Sequence, residues 1–405
     1  MNSKVIKTKL SNLAIVIQGQ SPESIYYSDK EGTPFLQGNR TFGLLYPTID
    51  TYTNKITKLV QKGDVLMSVR APVGDLNIAP CEICIGRGLA GLRSKKNDNN
   101  FLFYALKYNI KNLLKQGAAT TFDSVNKDII NDFVLIIPED EFDRQKIATV
   151  LSSLDAKIEL NNRINAELEA MAKTLYDYWF VQFDFPYDFD KGEPCSHDLD
   201  KDGKKTCSCK PYKSNGGKMV WNEQLKREIP EGWSTDKLSS LCDIYQPQTI
   251  SEKEMSPDGK YYVFGANGII GKYNKYNHDK SVIAVTCRGA SCGKINVTQP
   301  FSWITGNAMV IKPLHEHYCI DYLFYTLLNN NISRTITGSA QPQITRSNLA
   351  PLLIIKPSFD ILNKYKIFTN PGFITRINIF MENQKLSDLR DFLLPMLMNG
   401  QVKVV

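Results

Sequence analysis

No stretch of this chain approaches the roughly 20 consecutive apolar residues that a membrane-spanning helix needs. Its first residues, MNSKVIKTKLSNLAIVIQGQ, carry only a short apolar patch broken by polar side chains. Neither a spanning segment nor a secretory signal is expected, so the reading is a cytoplasmic protein with no membrane association. The nine cysteines, an odd number, then read as mostly reduced thiols. Histidine is scarce: His197, His278, His315 and His317 form no HExxH or Ser/His/Asp pattern. The glycines give no G-x-x-x-x-G-K-[ST] phosphate loop, which argues against a translocating ATPase, and GANGIIG from Gly265 spaces them wrongly for a dinucleotide fingerprint. Charge is not extreme either. The 49 basic and 42 acidic residues leave +7, which permits a polyanionic partner without requiring one.

What is present is repetition. The 405 residues are too many for one ordinary core and enough for two domains with connectors. GDVLMSVRAPVGDLNIAP (Gly63 to Pro80) is echoed by KSVIAVTCRGASCGKINV (Lys280 to Val297), each a β-branched strand running into an Arg and a Gly-containing turn. Arg70 aligns with Arg288, 218 residues on. FVLIIP ending at Pro138 matches LLIIKP ending at Pro357, Gly117 lies opposite Gly338, and TKLSNLAIV at Thr8 resembles DKLSSLCDI at Asp236. Four matches in one order at nearly constant spacing indicate an internal duplication. Each repeat opens with about 130 residues of short apolar runs punctuated by Gly, Asn and Pro, which predicts a strand-rich mixed domain. A helix is expected near Phe101 to Leu114, with its counterpart near Ile320 to Asn329.

A long helix follows each domain. Steps of four and three from Ile147 give Leu151, Leu154, Ile158, Asn161, Asn165, Leu168, Ala172, Leu175 and Trp179, a heptad seam sustained over more than four heptads. Such a helix needs a partner for its apolar stripe. Leu386, Leu389, Leu393 and Met396 continue the spacing in the second repeat, where Pro371-Gly372 marks a start and Pro395 a bend or end. Asn161 and Asn165 fall in or beside the seam, placed to fix register. Between the halves, Asp184 to Trp233 is polar and charged, and is expected to be solvent-exposed.

LRDFLLPMLMNGQV (Leu389 to Val402), KTLYDYWFVQFDFPYDF (Lys173 to Phe189) and PYKSNGGKMVWNEQLKREIPEGW (Pro211 to Trp233) resemble the conserved-region segments of type I restriction–modification specificity subunits. The likeness spans essentially the whole chain; the insert near Cys195 to Cys209 and the irregular NKYKIFTNPGFITRINIFM before the second seam depart from it. The resemblance implies an α/β (α+β) fold. Two target-recognition domains would be separated by two long antiparallel helices, a coiled-coil spacer with pseudo-twofold symmetry. The expected boundaries are 1–140 and 233–357 for those domains, 141–185 and 358–405 for the helices, and 186–232 for the linker. It further implies a non-catalytic subunit that reads a bipartite, asymmetric double-stranded DNA target. Two methyltransferase subunits and two restriction/translocase subunits would bring S-adenosylmethionine, ATP and magnesium, this chain holding no cofactor.

Candidate DNA-binding residues are Arg70 and Arg288 at the matching strand ends, with the loop residues Gln37, Asn39, Arg40, Asn267, Gln341 and Gln343. Arg suits a phosphate or a guanine edge, and Asn and Gln suit adenine; an Arg paired within its own domain is as ready a reading. Ile147, Leu151, Leu154, Ile158, Leu168, Leu175, Leu386, Leu389 and Leu393 are the candidates for helix pairing and partner docking. TNPGF (Thr369 to Phe373) resembles an adenine-methyltransferase signature, but Gly372 stands where the second Pro belongs. Cys195, His197, Cys207 and Cys209 could ligate zinc, although C-x-H and C-x-C are tighter than usual, and free thiols are the plainer reading. Asp198, Asp200, Asp202 and Gly203 open like a calcium loop, yet Cys209 occupies the place of the bidentate Glu. Cys81 and Cys84, without a second close pair, read as structural. No metal site is expected. The rival readings are a DNA-modifying enzyme with an unrecognised, zinc-containing centre and a coiled-coil protein scaffold.

Overall fold

The segment VLMS (Val65–Ser68) is buried at every position, and so is its later echo IAVT (Ile283–Thr286). Continuous burial of a β-branched and aliphatic run marks an inner strand covered on both faces. In the computed structural model, which describes residues 4–117, 124–195, 208–338 and 341–404, each strand lies inside a four-stranded antiparallel sheet. The first has the order Ala14–Gln18, Leu89–Ser94, Val65–Ser68, Leu76–Ile78. The second has the order Cys242–Tyr245, Ala308–Pro313, Ile283–Thr286, Ile295–Val297. A two-stranded ribbon accompanies each, Val5–Lys9 with Val134–Pro138 and Ser234–Lys237 with Leu353–Lys356. The duplication is therefore one of topology as well as of sequence.

The copies differ in a further sheet. The first has five short strands in the order Tyr27–Ser28, Tyr52–Thr53, Thr33–Leu36, Ile83–Ile85, Leu59–Val60. The second has three, Gly268–Tyr273, Tyr261–Gly265, Trp303–Ile304. The helix Asn99–Gly117 of the first half corresponds to Ile320–Asn329 in the second.

The chain divides into two compact units, one comprising Met1–Ile164 with Ile379–Val405, the other Asn165–Asn378. Two long helices, Glu141–Tyr176 and Phe359–Met398, contribute to both. In the first unit Ile147, Ala148 and Leu151 are buried in one core with Leu394, Leu397 and Met398. Asn161 Nδ2 donates to Asn383 Oδ1 at 2.8 Å, and Asn383 Nδ2 donates to Asn162 Oδ1 at 2.9 Å. These contacts run antiparallel and satisfy buried amides that would otherwise be costly, which fixes register as expected. In the second unit Ala172, Tyr176, Trp179 and Phe180 share a core with Ile361, Leu362 and Tyr365. There the pairing is antiparallel too, with Tyr365 Oη donating to the Ala172 carbonyl at 3.4 Å. Asn165 makes no equivalent bond among the described residues; its Oδ1 is buried without a partner.

Three expectations are corrected. The second helix does not begin at Pro371-Gly372 or end near Leu394; it runs through both prolines from Phe359 to Met398. Interior proline costs about 3 kcal/mol, and burial of Ile361, Leu362 and Tyr365 before it and Ile379 after it outweighs that cost. Leu389 does not enter the seam between the long helices: it is 44% exposed and the buried position next to it belongs to Arg390, which corrects its helix-pairing role and leaves partner docking open to it. Finally, much of Asp184 to Trp233 is packed rather than solvated. Phe185 stacks on Tyr212 and on Trp233, with ring centroids 4.7 and 5.2 Å apart, and these rings join the second unit's core. The few aromatic residues in a polar stretch were enough to fold it back. Among the described residues no helix is long and apolar enough to cross a membrane.

Candidate nucleic-acid interface

The strand Val65–Ser68 pairs through Ser68; Val69 stays buried in the core and Arg70 is the first residue to reach the domain surface. The Val69 N–H donates to the Gly88 carbonyl and the Val125 N–H to the Val69 carbonyl, both at 2.9 Å. Arg70 and Ser124 thereby form an isolated antiparallel bridge. The second unit repeats this bond for bond: Cys287 N–H to the Asn307 carbonyl and Ile344 N–H to the Cys287 carbonyl, each at 3.0 Å. Arg288 is bridged to Gln343. Both arginines are exposed, and neither has an ion-pair partner among the described residues. A guanidinium held on a rigid strand end with no internal carboxylate is free to meet an external acceptor.

The remaining loop candidates separate into two groups. Gln37, Asn39 and Arg40 are already engaged within the first unit. Gln37 Oε1 accepts from Ser21 Oγ at 2.9 Å, Asn39 Nδ2 donates to Asp75 at 2.6 Å, and Arg40 pairs with Asp50 at 2.7 Å. Hydrogen bonding from Arg40, with help from Thr51, holds the Asp50 carboxyl below its ordinary value. Asn267, Gln341 and Gln343 are exposed, with side chains unpaired among the described residues.

In the second unit Arg288 and Gln343 line a cleft of about 400 Å³ together with Tyr245, Gln246 and Arg346. Arg346 is turned inward, its Nε donating to the Ile244 carbonyl at 2.8 Å. Tyr245 is held from behind by His278, whose Nε2 lies 2.7 Å from its hydroxyl. Because the neighbouring Asn277 Oδ1 already accepts from the Ile304 N–H at 2.8 Å and lies 2.6 Å from His278 Nδ1, the tautomer with hydrogen on Nδ1 fits the network. Burial first, and Lys312 second, push the His278 pKa down, so the ring is neutral at pH 7. Burial likewise pushes the Cys287 thiol up, beneath the cleft. Sequence reasoning did not single out Gln246, which walls the cleft, or its counterpart Gln18. The signal was available, since the matched strings TKLSNLAIV and DKLSSLCDI extend two residues further to a Gln in both copies.

The metal suggestions do not gain a site. Cys195 and Cys209 are joined as a disulfide with Cα atoms 5.9 Å apart, not left as free thiols, because short strands on either side bring them together. His197, Asp198, Asp200, Asp202, Gly203 and Cys207 lie outside the described residues. Among the described residues no group of three or more His, Cys, Asp or Glu side chains could hold a metal.

Comparison with known proteins bears on the same geometry. The family model for the type I restriction modification DNA specificity domain matches twice, over residues 2–170 and 230–367. The chain belongs to that family. A Methanocaldococcus jannaschii chain named for the type I restriction enzyme MjaX specificity subunit is 42% identical over 163 residues, 40% of this chain and 38% of that relative. The MjaIX specificity subunit of the same organism is 24% identical over 372 residues, 86% of this chain and 79% of that one. Among solved structures, the S subunit from M. genitalium superposes with a TM-score of 0.61 at 16% identity, covering 98% of this chain and 96% of that one. That likeness extends the shared fold across both specificity domains and their helices.

Each compact unit also bears part of an apolar helical surface. In the second unit a groove of about 660 Å³ is lined by Leu168, Met171, Leu175, Phe368, Gly372 and Phe373, and Met171 is 68% exposed. In the first unit Leu389 and Phe392 are exposed. Met171 and Leu389 occupy equivalent places in the two repeats, 218 residues apart. The outward apolar positions are thus duplicated along with the seam.

Proposed function

We propose that this chain is the address-bearing subunit of a type I restriction–modification assembly and carries no catalytic centre of its own. Its two units bind the halves of an asymmetric, bipartite double-stranded DNA target. The exposed apolar positions on the long helices, Met171 and Leu389 among them, dock two methyltransferase subunits, and two restriction/translocase subunits join them in the full assembly. S-adenosylmethionine, ATP and magnesium belong to those partners, which act on adenine in the cytoplasm where the DNA lies. The observation that carries this reading is the duplicated strand-end arginine, unpaired among the described residues and presented on an identical backbone frame in both units. Two readers with one scaffold and different loops suit a split target whose halves differ. The family match gives the rival readings, a zinc enzyme or a protein-only scaffold, no support.

The test is co-expression with a candidate methyltransferase partner followed by genome-wide mapping of modified adenines. The expected result is a two-part motif with a fixed unread gap, changing in one half when either repeat is exchanged. A stable complex that adds no methylation would overturn the proposal.

A further inference from the structure

The two strand-end arginines share a frame, but the residue bridged to each differs, and that difference has a chemical meaning. An antiparallel bridge sets Cα atoms about 4.5–5.5 Å apart, somewhat more than the ~3.4 Å step between stacked base pairs. Two long side chains leaving such a bridge on the same surface can therefore address neighbouring base pairs. Gln343 is well placed for this. Its backbone N–H and carbonyl are both paired with Thr337, at 2.8 and 2.9 Å, and the Gly289 N–H donates to the Pro342 carbonyl at 3.2 Å. Gly338, next to Thr337, has φ +85°, and an added Cβ there would lie 2.5 Å from the Gln341 carbonyl oxygen. The backbone of Gln343 is consequently fixed from both sides. Its side chain is exposed, lines the cleft beside Arg288, and is unpaired among the described residues.

In the first unit the bridged residue is Ser124. A serine hydroxyl is too short to span two atoms of a base edge and pairs indifferently with donors and acceptors. Glutamine matches the adjacent amino donor and N7 acceptor of adenine, while arginine matches O6 and N7 of guanine.

We propose that Arg288 and Gln343 form a paired reader for adjacent base pairs, guanine then adenine, in one half of the target. The first unit keeps only the arginine of that pair, so the position facing Ser124 is read weakly. Gln246 forms the cleft wall and is not itself a reader, since its Nε2 donates to the Gly306 carbonyl. The inference rests on the DNA-reading proposal above and adds to it which side chains set which neighbouring positions.

Three variants in the co-expressed complex test it, each mapped by its modified adenines. Q343S should relax one position of one half-site, lowering discrimination there by roughly ten-fold or more, with the other half-site and the gap unchanged. Q343E removes the amide donor and should move preference at that position from adenine towards cytosine, whose amino group it can accept. S124Q should sharpen one position of the other half-site. Gln343 is exposed, so an unchanged Tm confirms that its variants fold. A wild-type motif that Q343S and Q343E both leave unaltered overturns the paired reader while leaving the specificity role intact. So does a uniform loss of methylation with a shallower salt dependence, the mark of a phosphate anchor. A wild-type complex that yields no two-part motif overturns the specificity role, and the paired reader with it.

Discussion

At the scale of single residues, what separates a reader from a surface charge is whether its own domain has already used it. Arg40 and Arg70 are both exposed, in loops of one domain. Arg40 is bound to Asp50 at 2.7 Å, whereas Arg70 has no ion-pair partner among the described residues and is fixed at its backbone by the bridge to Ser124. Replacing Arg40 by Ala should leave affinity for target duplex unchanged within about two-fold, because an exposed internal pair contributes little. Replacing Arg70 by Ala should cost about 1–3 kcal/mol, roughly five- to 150-fold in Kd. Fluorescence anisotropy on duplex DNA in the assembled complex checks both, and equal losses would remove the distinction. The candidates were legible as residue types in loops, but their availability was not. Gln37, Asn39 and Arg40 in LQGNRTFG look as suitable as Gln341 and Gln343 in GSAQPQIT until Ser21, Asp75 and Asp50 arrive from elsewhere in the chain.

At the scale of elements, the heptad seam of the first helix was readable because a periodicity over more than four heptads survives local irregularity. Ile147, Leu151, Ile158 and Ala172 are all buried. The second helix was harder to read, since two prolines imitate boundaries and the seam takes in a charge. Arg390 is buried against Asp155 at 2.6 Å, and Asp155 also accepts from Tyr104 Oη at 2.7 Å, joining both long helices to the helix Asn99–Gly117. A charged residue at a seam position reads as solvent-facing unless its counter-ion, 235 residues away, is known. Breaking a buried pair by removing one partner costs about 3–5 kcal/mol, because the other charge is left uncompensated. R390M should therefore destabilise the first unit by that amount in urea unfolding. The double variant of R390M with Asp155→Leu should regain most of it, whereas additive losses would show that the ion pair is not what Arg390 contributes.

For the whole molecule, the net charge of +7 is modest, so any DNA affinity must come from localised contacts made by both units rather than from a general field. Contacts of that kind release counterions: affinity for target duplex should fall by orders of magnitude between 50 and 200 mM salt, linearly on a logarithmic plot. A flat salt response in anisotropy titrations would argue for protein partners alone. The sequence by itself determined the duplication, the two strand-rich domains and the long helix after each, because repeats and periodic burial are patterns along the chain. The choice of side chains left free, the burial of Arg390 and the folding-back of the polar segment after Asp184 were decided only in three dimensions. Each depends on a partner distant in sequence, and local pattern carries no record of which distant groups will meet.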